Sequence, residues 1–343
     1  MPRSRLTAVV GTVAALSMLA ACAGGGPSDV PGGAAAGSGT PAETVQFYGY
    51  GVAKVAYEKV IPAFQQTPEG AGTQFQESYG PSGDQSRKVA SGSPADFVAF
   101  SVEPEIIRLV DAGLVSPDWN QGEYKGVPFG SIVVMVVRPG NPKGINDWPD
   151  LLKPGVEVVT PNPLSSGAAM WNLLAPYSVL SKGGVDPQAG IAYADKLVTD
   201  HIHLQPKSGR EATEAFLQGA GDVLLSYENE AKFLERKGDP IEYLVPPQTF
   251  RIETPVAVVT GGQATQKARQ FDAFLSTPTA QRVVAEAGFR PSDPQVLAEH
   301  SDSFPIPDRI WTVGDLGGWT KVRKELFDPD SGSITTIYER VNR

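Results

Sequence analysis

Residues 156–171 read Val156-Glu157-Val158-Val159-Thr160-Pro161-Asn162-Pro163-Leu164-Ser165-Ser166-Gly167-Ala168-Ala169-Met170-Trp171, and they decide the fold. The apolar run at 156–160 predicts a strand. Two prolines then turn the chain, and Ser166-Gly167 opens a helical stretch. Serine caps helix N-termini well, and its hydroxyl can also donate to an anion. Glycine lets a ligand come close to the backbone. The first-turn N–H groups lack intrahelical partners and point outward with the positive end of the helix dipole. Such a strand–loop–helix junction is a ready seat for a small oxyanion.

The pattern recurs at Gly80-Pro81-Ser82-Gly83-Asp84-Gln85 and at Lys207-Ser208-Gly209-Arg210-Glu211. Capping alone explains any one of these, because Ser82 with Gln85 and Ser208 with Glu211 have capping-box spacing. Ser-Gly also occurs at Ser38, Ser91 and Ser331, where no such junction is predicted. Three junctions in one chain point to an anion binder and no further.

Outward from these motifs, strands and helices alternate. Strands are predicted at 45–50, 73–79, 96–100, 131–137, 202–204, 223–227 and 255–260, with helices at 53–65, 85–91 and 103–112. Pro62 is expected to kink or shorten the first helix, and Gly113 to end the third. Residues 131–137 are almost continuously apolar, as a strand buried on both faces should be. This alternation predicts an α/β architecture with mostly parallel sheets.

The N-terminus predicts export. Arg3 and Arg5 precede an apolar run that ends in Leu19-Ala20-Ala21-Cys22, so 1–21 reads as a signal peptide and Cys22 as the lipidation site of a lipobox. Cys22 is the only cysteine, which excludes an intramolecular disulfide. Residues 22–42 are rich in Gly, Ala, Ser and Pro and read as a flexible tether. No later segment has the length of apolar sequence that a membrane span needs. The formal net charge is −9, falling to −11 once Arg3 and Arg5 are removed. So acidic a chain has no general attraction for nucleic acid or an anionic bilayer, and an anion site must work through a few placed dipoles.

Catalytic patterns are weak. His201 and His203 would share a face of the strand at 202–204, but no third ligand accompanies them, so no metal is expected. Ser82 lacks the Gly-x-Ser-x-Gly elbow because Asp84 fills the last position. No Walker loop or dinucleotide fingerprint occurs. Glu228 and Glu230 are expected to be solvated or capping, and Arg87 and Lys88 to lie on a wet helix face. Asp84 is the carboxylate nearest an anion-binding serine in sequence, and it is expected to face solvent as a dipole-compensating residue.

Three stretches carry a family resemblance. One runs from Asn141-Pro142-Lys143-Gly144 through Asp147-Trp148, Pro154-Gly155-Val156 and Thr160-Pro161-Asn162-Pro163 to Ser166-Gly167 and Trp171-Asn172. The others are Gly221-Asp222-Val223-Leu224-Leu225-Ser226-Tyr227-Glu228-Asn229-Glu230-Ala231 and Gly317-Gly318-Trp319. With them the chain resembles the periplasmic sulfate- and thiosulfate-binding proteins of ABC importers, and most nearly a lipid-anchored branch. The resemblance implies a two-lobed type II periplasmic-binding-protein fold, with two crossover strands at 131–137 and 255–260 and a ligand cleft between the lobes. Lobe 1 would comprise 43–130 plus 255–300 and lobe 2 would comprise 131–254, with a C-terminal helical segment, 301–343, packed on both. It implies a non-enzymatic, cofactor-free monomer outside the cytoplasm, anchored to the cell membrane, that captures sulfate and passes it to the importer's permease subunits.

By the same resemblance, Ser82 gives its hydroxyl and N–H to the anion. Ser166, Gly167 and Ala168 give a hydroxyl and N–H groups from the other lobe, and the backbone at Gly209 and Arg210 adds another donor. Four departures stand out: Gly51 for Asp, Ala168 for Gly, Tyr227 for Trp, and Arg210 for a small residue. Arg210 would bring a full charge to the ligand, or else pair with Glu211 or Glu214 at the surface. A pocket built only of donors favours sulfate, because protonated phosphate would leave an unpaired buried polar group at a cost of about 1–3 kcal/mol. Thiosulfate, molybdate or phosphate is the nearest alternative ligand. A serine hydrolase using Ser82 or Ser166, or an adhesion or signalling protein on the same scaffold, are the alternatives of a different class.

Overall fold

The computed structural model describes residues 43–341, which belong to one compact unit. The segments read as signal peptide and tether, with Cys22, lie outside the described residues. In chain order the first part comprises β1 (Thr44–Tyr50), α1 (Lys54–Gln65), β2 (Gln74–Gly80), α2 (Ser82–Ala90), β3 (Phe97–Ala99) and α3 (Glu103–Asp111). There follow β4 (Phe129–Val137), β5 (Val158–Val159), α4 (Gly167–Leu180), α5 (Pro187–Asp200), α6 (Gly209–Leu217), β6 (Val223–Tyr227) and α7 (Glu228–Lys237). The remaining strands are β7 (Glu242–Leu244), β8 (Gln248–Glu253), β9 (Val256–Val258), β10 (Arg290–Pro291) and β11 (Arg309–Trp311).

Two sheets result. The smaller has four strands in the order β2-β1-β3-β9, and the larger has seven, β11-β8-β4-β6-β5 with β7 and β10 also paired to β4. The expectation of mostly parallel sheets is corrected here. β1 pairs in parallel with β2 and β3, but β9 is antiparallel, and β4 is antiparallel to β6, β7, β8 and β10. Two of those antiparallel partners, β7 and β10, are only three and two residues long, and their pairing comes from tertiary contact with β4.

β4 justifies its apolar sequence. Val133, Met135 and Val137 point into one core, while Ile132, Val134 and Val136 point into another, and all are buried. Each such side chain contributes about 1.5–3 kcal/mol relative to exposure. α1 runs through Pro62 to Gln65. Residues 202–204 form no strand; only an isolated bridge joins Leu204 to Val159. The segment 301–343, expected to be helical, also contributes β11 to the larger sheet.

The chain passes between the sheets three times, from β3 to β4, from β8 to β9 and from β9 to β10, and the first two passages lie side by side. Gly130 pairs with Glu253, the Val256 N–H donates to Gly126 O at 2.8 Å, and the Thr254 hydroxyl donates to Phe129 O at 2.8 Å. A Cβ at Gly130 would lie 2.3 Å from Ile252 O, so only glycine permits this approach.

Candidate functional site

Four helix starts meet where the sheets face each other. The turn at Gly51–Ala53 leads into α1, and α2, α4 and α6 begin at Ser82, Gly167 and Gly209. Between them lies a small hollow lined by Tyr50, Gly51, Val52, Gly80, Pro81, Ser82, Ser101, Ser166, Ala168, Ser208 and Gly209. No carboxylate, lysine, arginine or histidine lines it. Its polar surface is serine hydroxyls and the unpaired amides of helix first turns, which suit a fully deprotonated anion.

Local contacts hold these starts in place. Asn172 ties α4 to both neighbouring strands, donating to Thr160 Oγ1 at 3.0 Å and to Leu225 O at 2.8 Å. The Trp171 indole donates across the cleft to Ser101 O at 2.7 Å and meets the Trp319 ring edge-on at 4.9 Å. Gly317 and Gly318 both adopt φ of 91°, which explains why glycine stands twice before Trp319. The cleft is closed: a Cβ at Gly209 would lie 3.2 Å from Val52 and 3.4 Å from Ala168.

The residues singled out in the sequence divide sharply. Gly51, Ser82, Ser166, Ala168 and Gly209 line the hollow, and Gly167 sits beside it against Ser101. Ser166 is 3% exposed and is the N-cap of α4, yet its hydroxyl makes no capping bond. Ser208 does cap α6, accepting from Glu211 N at 3.1 Å, which leaves its proton free. Tyr227 is buried outside the hollow, with its hydroxyl 2.6 Å from Ser101 Oγ, so this phenol braces a lining serine across the cleft.

Arg210 corrects the expectation of a charge brought to the ligand. Its guanidinium turns away to Glu230 at 3.0 Å and lies over the Phe233 ring. Neither Glu211 nor Glu214 is its partner. Glu228 and Glu230, expected to be solvated or capping, lie in the first turn of α7 and are completely buried. Glu228 takes a two-pronged bond from Arg290 at 2.7 and 3.0 Å. Burial pushes the Glu230 carboxyl up, and Arg210 is the main influence pulling it back. His201 caps the end of α5 and pairs through Nδ1 with Val156 O at 2.8 Å, and His203 is exposed on no strand. Among the described residues no cluster of three potential metal ligands occurs.

Asp84 faces solvent as expected, paired with Arg87 at 2.5 Å. The carboxylate that does approach the hollow is Glu105. Its Oε2 receives the Ser82 hydroxyl, Ser101 N at 3.2 Å and Val102 N at 3.3 Å, while Ser82 Oγ accepts from Ser101 N at 2.8 Å. Sequence reading missed both Ser101 and Glu105. Phe100-Ser101-Val102-Glu103-Pro104-Glu105 is a fourth strand–serine–helix junction, but it carries no glycine to mark it.

Burial pushes the Glu105 carboxyl up to about 7, against the pull of Ser82, the Val102 amide and Arg108. A carboxyl whose folded value is raised stabilises the fold most below its unfolded value, and that stability is lost as pH rises through the folded value. Between pH 4.5 and 7 this amounts to about 3 kcal/mol. Asp272, pushed up to about 6 by burial, acts in the same direction. Buried Lys232, lowered to about 8, takes effect only above that pH. The melting temperature is therefore expected to fall from pH 5 to pH 7.5, with a smaller fall in Glu105→Gln. An identical slope in the two proteins would refute the assignment.

Residues 45–290 match the family described as bacterial extracellular solute-binding protein, and the chain belongs to that family. Within it, the relatives are named for sulfur oxyanions. The sulfate-binding protein of Synechococcus elongatus is 40% identical, covering 99% of this chain and 97% of its own. The thiosulfate-binding protein of Pseudomonas aeruginosa is 35% identical, covering 84% of this chain and 90% of its own. The solved structure of the sulfate-binding protein SubI from Mycobacterium tuberculosis H37Rv is 54% identical, with a TM-score of 0.82, covering 83% of this chain and all of that one. The fold is accordingly the two-lobed type II periplasmic-binding-protein architecture, with its cleft between the lobes. Membership of an extracellular solute-binding family places the chain outside the cytoplasm. Among the described residues no helix is long and apolar enough to cross a membrane.

Proposed function

We propose that this chain is the sulfate-capturing component of an ABC importer, held at the outer face of the cell membrane by acylated Cys22 and acting as a monomer without catalysis. The observation that carries the reading is the lining of the hollow, with serine hydroxyls, of which those of Ser166 and Ser208 have a proton to offer, with first-turn amides, and with no charged side chain. The relatives' names support sulfate in particular. A ligand that can only accept hydrogen bonds suits such a lining, whereas a protonated oxyanion leaves its own donor unsatisfied. Ser82 has no histidine beside it to act as base, which supports a binder over a hydrolase.

The lobes on this reading are 43–130 plus 255–300 and 131–254, with 301–343 packed on both. β1, β2, β3 and β9 share the first sheet, which supports that division. Closure over the anion excludes water and strengthens every dipole aimed at it. Calorimetric titration of sulfate tests the site, with thiosulfate and phosphate as competitors. Ser166→Ala is expected to weaken sulfate binding about tenfold, the loss of one hydrogen bond to a charged group at about 1.5 kcal/mol. Unchanged affinity would remove Ser166 from the site.

A further inference from the structure

We propose that the cavity holding Arg87, Arg108 and Arg323 is a docking recess for an acidic segment of the importer's permease, which seats a carboxylate among the guanidiniums and an apolar side chain against Leu164. The inference rests on the reading of the chain as the capturing component of an importer, and adds the surface and the chemistry of its partner.

The cavity lies beside the hollow and shares Ser166 with it. Arg87 and Arg108 come from α2 and α3, Leu164 and Ser165 from the loop before α4, and Trp319 and Arg323 from the C-terminal segment. On the proposed division this joins both lobes and the segment packed on them. The seam is tight there, since a Cβ at Gly83 would lie 3.0 Å from Ser165 O and 3.3 Å from Arg87 Nη1. The two halves of the recess therefore meet only when the lobes are closed, and a segment that fits it reads the loaded form.

Its charge singles the recess out in a chain of net charge −9. Three guanidiniums line it, and the carboxylate among them, Glu105, is already engaged by the Ser82 hydroxyl and two amides. Arg87 has Asp84 as a partner, but their side chains are 48% and 42% exposed, where such a pair contributes little. Arg108 donates to Ser86 Oγ at 2.8 Å. Among the described residues neither Arg108 nor Arg323 forms a salt bridge. Burial draws the Arg108 guanidinium below its ordinary value; Glu105 opposes this, and the like charges of Arg87 and Arg323 add to it. An incoming carboxylate relieves that repulsion and accepts hydrogen bonds of the stronger, charge-assisted kind. The rim supplies the apolar anchor, because Leu164 is 47% exposed. Arg323 also opens a π-helical turn, Arg323–Phe327, a rare form that is frequent at functional sites. A second cavity at the seam offers no such surplus. Its Lys54 and Arg210 are paired with Glu58 and Glu230, and Glu211 and Glu214 line it as well.

The test is sulfate-dependent stimulation of ATP hydrolysis by the importer's permease and ATPase subunits, reconstituted in liposomes of neutral phosphatidylcholine, as the chain is titrated in. Arg87→Glu combined with Arg323→Glu is expected to raise the half-stimulating concentration at least about tenfold, while sulfate affinity by calorimetry stays within about twofold. Leu164→Asp, which places a carboxylate of the chain's own at the rim, is expected to act in the same direction. Lys196→Glu, an exposed charge reversal on α5, is the control and should change neither measurement. Stimulation unaffected by the arginine and leucine variants, or weakened equally by Lys196→Glu, would overturn the proposal. So would arginine-dependent binding to importer-free phosphatidylserine vesicles with stimulation intact, which would make the recess a lipid site. If the wild-type chain binds sulfate yet never stimulates, the recess has no permease to serve. If it binds no sulfate at all, the assignment of the hollow fails first and this inference with it.

Discussion

Gly167→Ala is expected to lower sulfate affinity about a hundredfold while leaving the unfolding of the ligand-free chain nearly unchanged. Gly167 is the first residue of α4 and has no left-handed backbone to protect, so alanine suits the helix itself. The obstacle lies across the cleft. A Cβ there would stand 2.8 Å from Ser101 Cβ and 3.1 Å from Val102 Cγ1. Ser101 Cβ is fixed to its backbone and cannot rotate away, so the lobes must separate or α4 must shift. Overpacking of this kind costs about 1–3 kcal/mol, and a hundredfold in affinity corresponds to about 2.7 kcal/mol. On the proposed reading closure happens on binding, so the strain falls on the complex. Calorimetry and thermal unfolding of the same preparation check both halves. A loss of stability as large as the loss of affinity would mean that the contact belongs to the fold rather than to closure.

Arg210→Ala is expected to act in the opposite way, on stability first. Removing the guanidinium leaves Glu230 as an uncompensated buried carboxylate, and breaking such a pair costs about 3–5 kcal/mol. The lower end applies here, because the Arg210 side chain is 27% exposed while that of Glu230 is 1% exposed. Denaturant unfolding should show the loss, and adding Glu230→Gln should restore most of it, since a neutral amide bears burial better. Sulfate affinity of the folded fraction should change far less than stability. A large drop in affinity with stability intact would instead place the guanidinium at the ligand.

These two residues also show how far the sequence could be read. Ser166-Gly167 was legible because a capping serine, a glycine and a following helix leave a local signature of spacing and residue type. The two-faced apolar run of β4 and the start of α3 were legible for the same reason. The partner of Arg210 was not, because nothing within a few residues distinguishes Glu230 from Glu211 or Glu214, and burial by β4 and α7 made the choice. Glu105 was hidden by distance, 23 residues from the Ser82 it contacts. Strands β7 and β10, of three and two residues, are too short to show a period, so the mixed sheet emerged only from tertiary contact.

Selenate has the shape and charge of sulfate and a selenium atom that scatters anomalously, so crystals grown with it test the central assignment most directly. The account predicts one strong anomalous peak in the hollow, with the selenate oxygens about 3 Å from Ser166 Oγ and from the amides of Gly167, Ala168 and Gly209. A dominant peak elsewhere, such as among Arg87, Arg108 and Arg323, or no peak at saturating selenate, would contradict it.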